Sequence, residues 1–328
     1  MTVSAWLPDL GAAPETAAGG PGRPARDSID RRALMLAAAS AALAGPVSAA
    51  PAGFIDAHSH AWSGDTARYP LVAGGAAAER DPPSYDIEAL LGREAALGVG
   101  RVVLVQHIGY YGFDCRYLTD AARAHPGTFA VVAAVDDRRD DAPAAMLAAK
   151  AAGAKGFRIR GVDTAAWPGS REMNAMWETA AAADLVICPL LRDGPGMSED
   201  ALLDVATLAR RHAETTVCLD HMAHVMPDDP RQLDRLCALA AFPRVTVKVS
   251  GLDKFDVPPY RLVVPQLLAL LAAFGPQRLM WGSDMPVLER QAPNTLADAL
   301  AFVTSVAPLS EADRHWLLRG TAERLFFS

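Results

Sequence analysis

Short apolar segments alternate with amphipathic helical stretches from Phe54 to the end of the chain, and this alternation constrains the fold more than any other feature. The apolar segments are rich in Val, Ile, Leu and Phe on both faces, which is typical of parallel strands covered by helices. The eight predicted strands are Phe54–Ala57, Arg101–Gln106, Phe129–Val135, Lys155–Ile159, Leu185–Leu190, Thr216–Asp220, Arg244–Val249 and Arg278–Trp281.

Eight strands, each followed by a helix, indicate a (β/α)8 barrel, a fold that typically takes about 250 residues. The alternative is an open doubly wound sheet, whose dinucleotide-binding form carries a GxGxxG turn after the first strand. No such turn follows Phe54–Ala57. The sequence therefore predicts an α/β fold, a single TIM barrel over residues 50–328.

Residues 1–49 have the features of an export signal rather than of a folded segment. Arg31 and Arg32 precede an apolar run that ends at Ala44, and Val47–Ala49 offers the small residues of a cleavage site. The run is about 12 residues long, shorter than the ~20 that span a bilayer. The arginine pair resembles the twin-arginine signal. We expect residues 1–49 to be a twin-arginine signal peptide with a long segment before the arginine pair. The mature chain would then be periplasmic, without a stable membrane anchor. The alternative is a disordered tail on a cytoplasmic protein.

Composition excludes several classes of protein. The chain has 328 residues, of which 51% are hydrophobic and 21% charged, so it is not disordered as a whole. Its net charge is −7 and it has no basic run, which argues against nucleic acid as a partner. Its four cysteines lack CxxC spacing, which argues against a cysteine-bound zinc site and a disulfide framework. We expect a small-molecule substrate and no organic cofactor, and the sequence does not indicate an oligomeric state.

The residues that could carry chemistry follow the ends of predicted strands, where active sites of such barrels lie. His58 and His60 follow the first strand two residues apart, so in extended chain both imidazoles point the same way. Together they can bind a metal or polarise a carbonyl group. His221 follows the sixth strand. Asp284 follows the eighth and could ligate a metal, deprotonate water or only cap a helix.

Cationic side chains at the barrel mouth suggest contacts with an anion. Arg158 and Arg160 share one face of the fourth strand, and Lys248 lies on the seventh. Buried cations are costly unless they meet an anion, so the partner is either a substrate carboxylate or an internal acid. Gln106 and His107, at the end of the second strand, are further candidates for substrate contact.

These motifs together carry a family resemblance. The chain resembles the amidohydrolase-related TIM-barrel hydrolases over about residues 54–327, and within them a lactonase-like branch that includes 2-pyrone-4,6-dicarboxylate lactonase and sulfomuconolactonase. The resemblance implies water attack on a carbonyl group, with Asp284 activating the water. It also implies that His58, His60 and His221 bind a metal or the carbonyl oxygen. The matching segments are Phe54–His60, Gly153–Arg160, Leu219–His221, Val247–Gly251, Arg278–Pro286 and Arg314–Phe327.

One departure from the family limits the metal chemistry. Metal-bound members often carry Lys or His at the end of strand five, whereas Ile187–Arg192 contains neither. This argues against two metals bridged by a carboxylated lysine. One zinc-like ion on His58, His60 and Asp284, with His221 as a further ligand, remains an alternative of equal weight to a metal-free mechanism.

The sequence therefore predicts a hydrolase that opens a lactone, which could itself carry a carboxylate. A metal-dependent decarboxylase with a related site is one alternative. A non-catalytic exported binding protein is the other.

Overall fold

The computed structural model of this chain describes residues 53–72, 80–159, 167–191 and 201–328. The predicted export signal and Arg160 lie outside the described residues, so export and a role for Arg160 stay predictions from the sequence. Within the described part of the chain, no helix is both long and apolar enough to cross a membrane.

Eight parallel strands form one sheet in the order of the chain, and helices separate successive strands, which confirms the predicted TIM barrel. Each predicted segment overlaps one strand, although the bounds shift by a few residues. The strands are β1 Phe54–Ser59, β2 Val99–Val105, β3 Phe129–Ala134, β4 Ala154–Ile159, β5 Val186–Pro189, β6 Thr216–Leu219, β7 Val245–Val249 and β8 Leu279–Trp281.

Some helices begin where a capping side chain satisfies a free backbone N–H group of the first turn. Asp86 accepts from Ala89 N, and Ser170 accepts from Met173 N. The described α-helices are α1 Ile87–Ala95, α2 Ile108–Tyr111, α3 Arg116–Ala124, α4 Ala142–Ala151, α5 Arg171–Ala182, α6 Ala201–Arg211, α7 Pro230–Ala238, α8 Val263–Phe274, α9 Leu296–Ala301, α10 Glu311–His315 and α11 Thr321–Phe326.

The barrel closes between β1 and β8 at the end that carries the predicted site. Asp284 N donates to His58 O at 2.8 Å, and His60 N donates to Met285 O at 2.7 Å. A side chain at Gly282 would place its Cβ 2.7 Å from His58 Cβ, so only glycine permits this approach. The closure therefore places the segment with both histidines directly beside Asp284.

The interior of the barrel is an apolar layer rather than a pore, as expected of this fold. Ile55 and Ala57 of β1 pack there with Met280 of β8. Cys188 and Cys218 are fully buried free thiols in the same cluster. The interior thus forms a rigid support beneath the polar residues at the strand ends.

Candidate active site

The carboxyl ends of five strands bring predicted site residues into one buried cluster. Each of these side chains is at most 7% exposed, so the cluster is largely removed from bulk water. The cluster consists of His58 and His60 after β1, Arg158 on β4, His221 after β6, Lys248 on β7 and Asp284 after β8.

Asp284 lies where the imidazole groups converge. Its Oδ1 is 3.3 Å from His60 Nε2 and 3.7 Å from His58 Nε2, while its Oδ2 is 3.9 Å from His221 Nε2. Its backbone has φ +65°, a left-handed conformation that non-glycine residues rarely adopt and that concentrates at functional sites. This strained backbone conformation directs the carboxylate toward the three imidazoles at the barrel mouth.

A backbone carbonyl group fixes the position of one hydrogen on His60. Nδ1 lies 2.7 Å from the carbonyl oxygen of Val105, which can only accept, so Nδ1 carries the hydrogen. When Nε2 carries no hydrogen it is an acceptor, and it faces Asp284 Oδ1, which is also an acceptor. Two facing lone pairs at 3.3 Å require a proton, a water molecule or a cation between them.

His58 has the same tautomer for a different reason. Arg158 Nη2 lies 2.8 Å from His58 Nε2, and arginine can only donate, so Nε2 accepts and Nδ1 carries the hydrogen. Nδ1 points to Asp220 Oδ1 at 3.2 Å. Burial, followed by the charge of Lys248, lowers the pKa of His58 to about 3, although Asp220 opposes this shift. His58 is therefore neutral at physiological pH.

His221 reaches the site through an unusual backbone. It begins a run of four left-handed residues that ends at His224. Its Nδ1 is 2.9 Å from Ser250 Oγ. Gly251 has φ +63°, and a Cβ there would lie 2.8 Å from His221 Nδ1, so glycine is required for this ring position. Burial lowers the pKa of His221 well below its usual value, which makes it a second neutral imidazole beside His58.

Asp220 is the internal partner of the predicted cationic residues. Lys248 Nζ is 3.0 Å from its Oδ1, and Arg158 donates to its Oδ2 from Nη2 at 3.1 Å and from Nε at 3.3 Å. Burial alone would raise the pKa of Asp220, yet the charges of Lys248 and Arg158 hold it well below its usual range. The sequence left either a substrate carboxylate or an internal acid as the partner of Arg158. The structure contains the internal acid, Asp220, and Lys248 contacts it as well.

Gln106 and His107 occupy different positions at the end of β2. Gln106 is fully buried, and its amide donates to the carbonyl groups of Gly112 and Asp114 at 3.1 and 3.0 Å, so it shapes the following loop. His107 stacks on Tyr110 with 3.9 Å between ring centroids, and its ring centroid is 5.4 Å from that of His60. His107 therefore lies at the rim of the cluster. Substrate contact by either residue stays a prediction.

Lys254 is a site residue that sequence reasoning missed. It ends a short helical turn, Leu252–Lys254, that follows β7, and its Nζ is 2.6 Å from Asp284 Oδ2 and 3.3 Å from Asp253 Oδ1. Burial opposes ionisation of Asp284, but the charge of Lys254 holds the pKa of that carboxyl well below its usual range. The only signal in the sequence was its position shortly after a strand end.

The donor set at the centre of the cluster fits a divalent metal ion. Ligand atoms of His58, His60 and Asp284 lie within 4.8 Å of one another. Two imidazole nitrogens and one carboxylate oxygen suit zinc and similar ions, and the facing lone pairs of His60 and Asp284 already converge. The lone pair of His58 accepts from Arg158, so this guanidinium would have to give way for His58 to coordinate.

Comparison with known proteins places the chain in a family. The family model described as Amidohydrolase matches residues 55–327. The chain belongs to the amidohydrolase family. This amidohydrolase is 32% identical over 253 residues to an L-fucono-1,5-lactonase from Burkholderia ambifaria. The alignment covers 71% of this chain and 80% of the relative. It is 31% identical over 297 residues to an L-fucono-1,5-lactonase from Burkholderia multivorans, with 83% and 95% covered.

Solved structures agree with this assignment. An amidohydrolase from Burkholderia multivorans with bound zinc is 30% identical, has a TM-score of 0.67 and covers 84% of this chain and 99% of its own. A putative 2-pyrone-4,6-dicarboxylic acid hydrolase from Pseudomonas putida is 24% identical with a TM-score of 0.68, covering 84% and 97%, and supports the fold alone. The predicted resemblance and the predicted hydrolase class are thereby confirmed.

The buried ion cluster of Asp220, Lys248 and Arg158 should contribute to the stability of this amidohydrolase. Asp220→Asn removes the charge that faces buried Lys248 and Arg158, and breaking such a cluster costs about 3–5 kcal/mol of unfolding free energy. Urea denaturation measures the loss. The control is Glu214→Gln, which breaks an exposed ion pair with Arg244 and should cost at most about 1 kcal/mol. Equal losses in the two variants would contradict the cluster's importance.

Proposed function

We propose that this amidohydrolase hydrolyses lactones of sugar acids. The observation that carries the proposal is the ionised carboxylate of Asp284, which lies among the imidazoles of His58, His60 and His221 at the barrel mouth. A carboxylate in this position can take a proton from water beside a bound carbonyl group. Two relatives that are named L-fucono-1,5-lactonase support a lactone as the substrate.

The hydrogen positions on the imidazoles indicate how the attacking water could be held. Since His60 carries hydrogen on Nδ1, its Nε2 can accept one hydrogen of the attacking water, whereas Nε2 of His58 already accepts from Arg158. Asp284 Oδ1, which faces them, takes a proton as the water oxygen bonds to the carbonyl carbon. The ring C–O bond then breaks, and the departing oxygen receives that proton. The product is a hydroxy acid, which releases one proton at neutral pH.

The negative charge that develops on the carbonyl oxygen needs a donor or a cation, which neutral acceptor nitrogens do not provide. Lys254, whose Nζ lies 2.6 Å from Asp284 Oδ2, can supply that cation. A zinc-like ion on His58, His60 and Asp284 would supply Lewis-acid polarisation of the carbonyl group when bound. The part of Asp284 as proton acceptor is the same in both cases.

The pairing of cations favours a neutral substrate. Arg158 and Lys248 both contact Asp220, so neither charge is left for a substrate carboxylate. Proton release measured by pH-stat tests this on two groups of substrates, neutral aldonolactones and lactones that carry a carboxylate. We expect higher kcat/KM for the neutral group. A preference for carboxylated lactones would contradict the proposed substrate class, and release of carbon dioxide would indicate decarboxylation instead.

A further inference from the structure

Asp56 is a buried carboxylate in β1 that lies behind the active-site residues rather than among them. Its Oδ1 accepts from His58 N at 2.9 Å and from Ser283 N at 2.8 Å, and its Oδ2 accepts from Ser283 Oγ at 2.5 Å. One side chain therefore binds the backbone of both strand ends that form the centre of the site.

We propose that Asp56 is a positioning residue that fixes His58 and Asp284 relative to each other. His58 N belongs to one of the imidazole residues, and Ser283 directly precedes Asp284. The two segments are also joined by the bond from Asp284 N to His58 O, and Gly282 lets them approach closely. Because the two segments are bonded to each other and closely packed, loss of the Asp56 contacts should displace both His58 and Asp284.

Glu94 supports Asp56 from the far side of the strand. This residue of α1 is fully buried, and neither of its carboxyl oxygens receives a donor from another side chain or backbone group among the described residues. Its carboxyl group faces Asp56, and a hydrogen bond between two carboxyls needs a proton on one of them. Burial, followed by the charge of Asp56, raises the pKa of Glu94 well above its usual value, so Glu94 carries that proton.

The energetic cost of this pair indicates a purpose beyond packing. Two carboxyl groups in an apolar interior are less favourable than apolar side chains of similar volume would be. The fold nevertheless places them directly behind the residues that must hold a fixed geometry. Support from behind is what holds reactive side chains in productive positions.

Asp56→Ala is the first test, because alanine removes both carboxyl oxygens that accept from His58 N, Ser283 N and Ser283 Oγ. For a lactone that the wild type turns over, which rests on the proposed function, we expect kcat to fall about 100-fold with KM nearly unchanged. Ser283→Ala removes one of the three hydrogen bonds and should lower kcat less. Glu94→Gln, whose amide can still donate to Asp56, should stay close to wild type.

The control distinguishes positioning from a general loss of stability. Ser310→Ala removes the capping hydroxyl of α10 far along the chain, so it should lower the melting temperature without lowering kcat. Wild-type kcat in folded Asp56→Ala would overturn the proposal. So would an equal loss of kcat in Ser283→Ala and Ser310→Ala at the same loss of melting temperature.

Amide hydrogen exchange tests Asp56 without any substrate. The amides of His58 and Ser283 should exchange much faster in Asp56→Ala than in the wild type or in Glu94→Gln. If the wild type hydrolyses no lactone but this difference is found, the proposed function fails and the positioning role stands. If exchange at the two amides is unchanged, the positioning role fails whatever the enzyme's substrate is.

Discussion

Asp284→Asn is expected to lower kcat on a lactone substrate by about 10²–10⁴-fold, the range that general base catalysis contributes. Asparagine keeps the shape of the side chain and loses the basic oxygen that faces His58 and His60. The amide cannot take a proton from water at neutral pH. KM should change little, since substrate binding does not require that proton transfer. Steady-state kinetics by pH-stat give both constants.

The matched control for this substitution is Asp313→Asn, the same change in the capping box of α10. It should leave kcat unchanged while lowering stability slightly. Circular dichroism must show that Asp284→Asn is folded. A folded Asp284→Asn enzyme with a kcat close to that of the wild type would remove Asp284 from the role of base.

Lys254→Met is expected to lower kcat/KM by about 10²–10³-fold, the loss seen when one donor that stabilises developing charge is removed. The ammonium group holds Asp284 Oδ2 at 2.6 Å and keeps that carboxylate ionised, and methionine fills similar space without the charge. Lys254→Arg should recover part of the activity because it restores a cation. The same pH-stat assay measures both variants.

Lys155→Met is the control for the loss of a lysine charge. Lys155 is an exposed residue near the start of β4, where its Nζ contacts the backbone oxygen of Ser328. We expect it to keep wild-type kinetics. If Lys254→Met is as active as Lys155→Met, the contact with Asp284 has no catalytic importance. If Lys254→Arg recovers nothing, the shape of lysine rather than its charge is what matters.

The barrel could be predicted from the sequence because its strands are apolar on both faces and separated by helices. The strand bounds were less certain. β2 begins at Val99 rather than Arg101, because pairing with β1 extends it. β6 ends at Leu219, because Asp220 begins the turn that carries His221. A neighbouring strand sets the first bound and a turn sets the second, and local sequence shows neither.

The candidate site was predictable to the extent that it follows strand ends. His58, His60 and Asp284 come together because strand ends of a barrel share one face. The partner of the buried cations was not predictable, because Asp220 meets Arg158 only through strand pairing across β5. Lys254 was missed because nothing in the sequence fixes the turn that points its side chain back to Asp284.

Hydrolysis in water enriched in ¹⁸O tests the central claim most directly. Water attack on the carbonyl carbon of a sugar lactone places one ¹⁸O atom in the carboxylate of the product, which mass spectrometry locates. We predict this label, formed by the wild type far faster than by Asp284→Asn, with no carbon dioxide released. Label in the hydroxyl group, loss of carbon dioxide, or equal rates in the two proteins would contradict water attack assisted by Asp284.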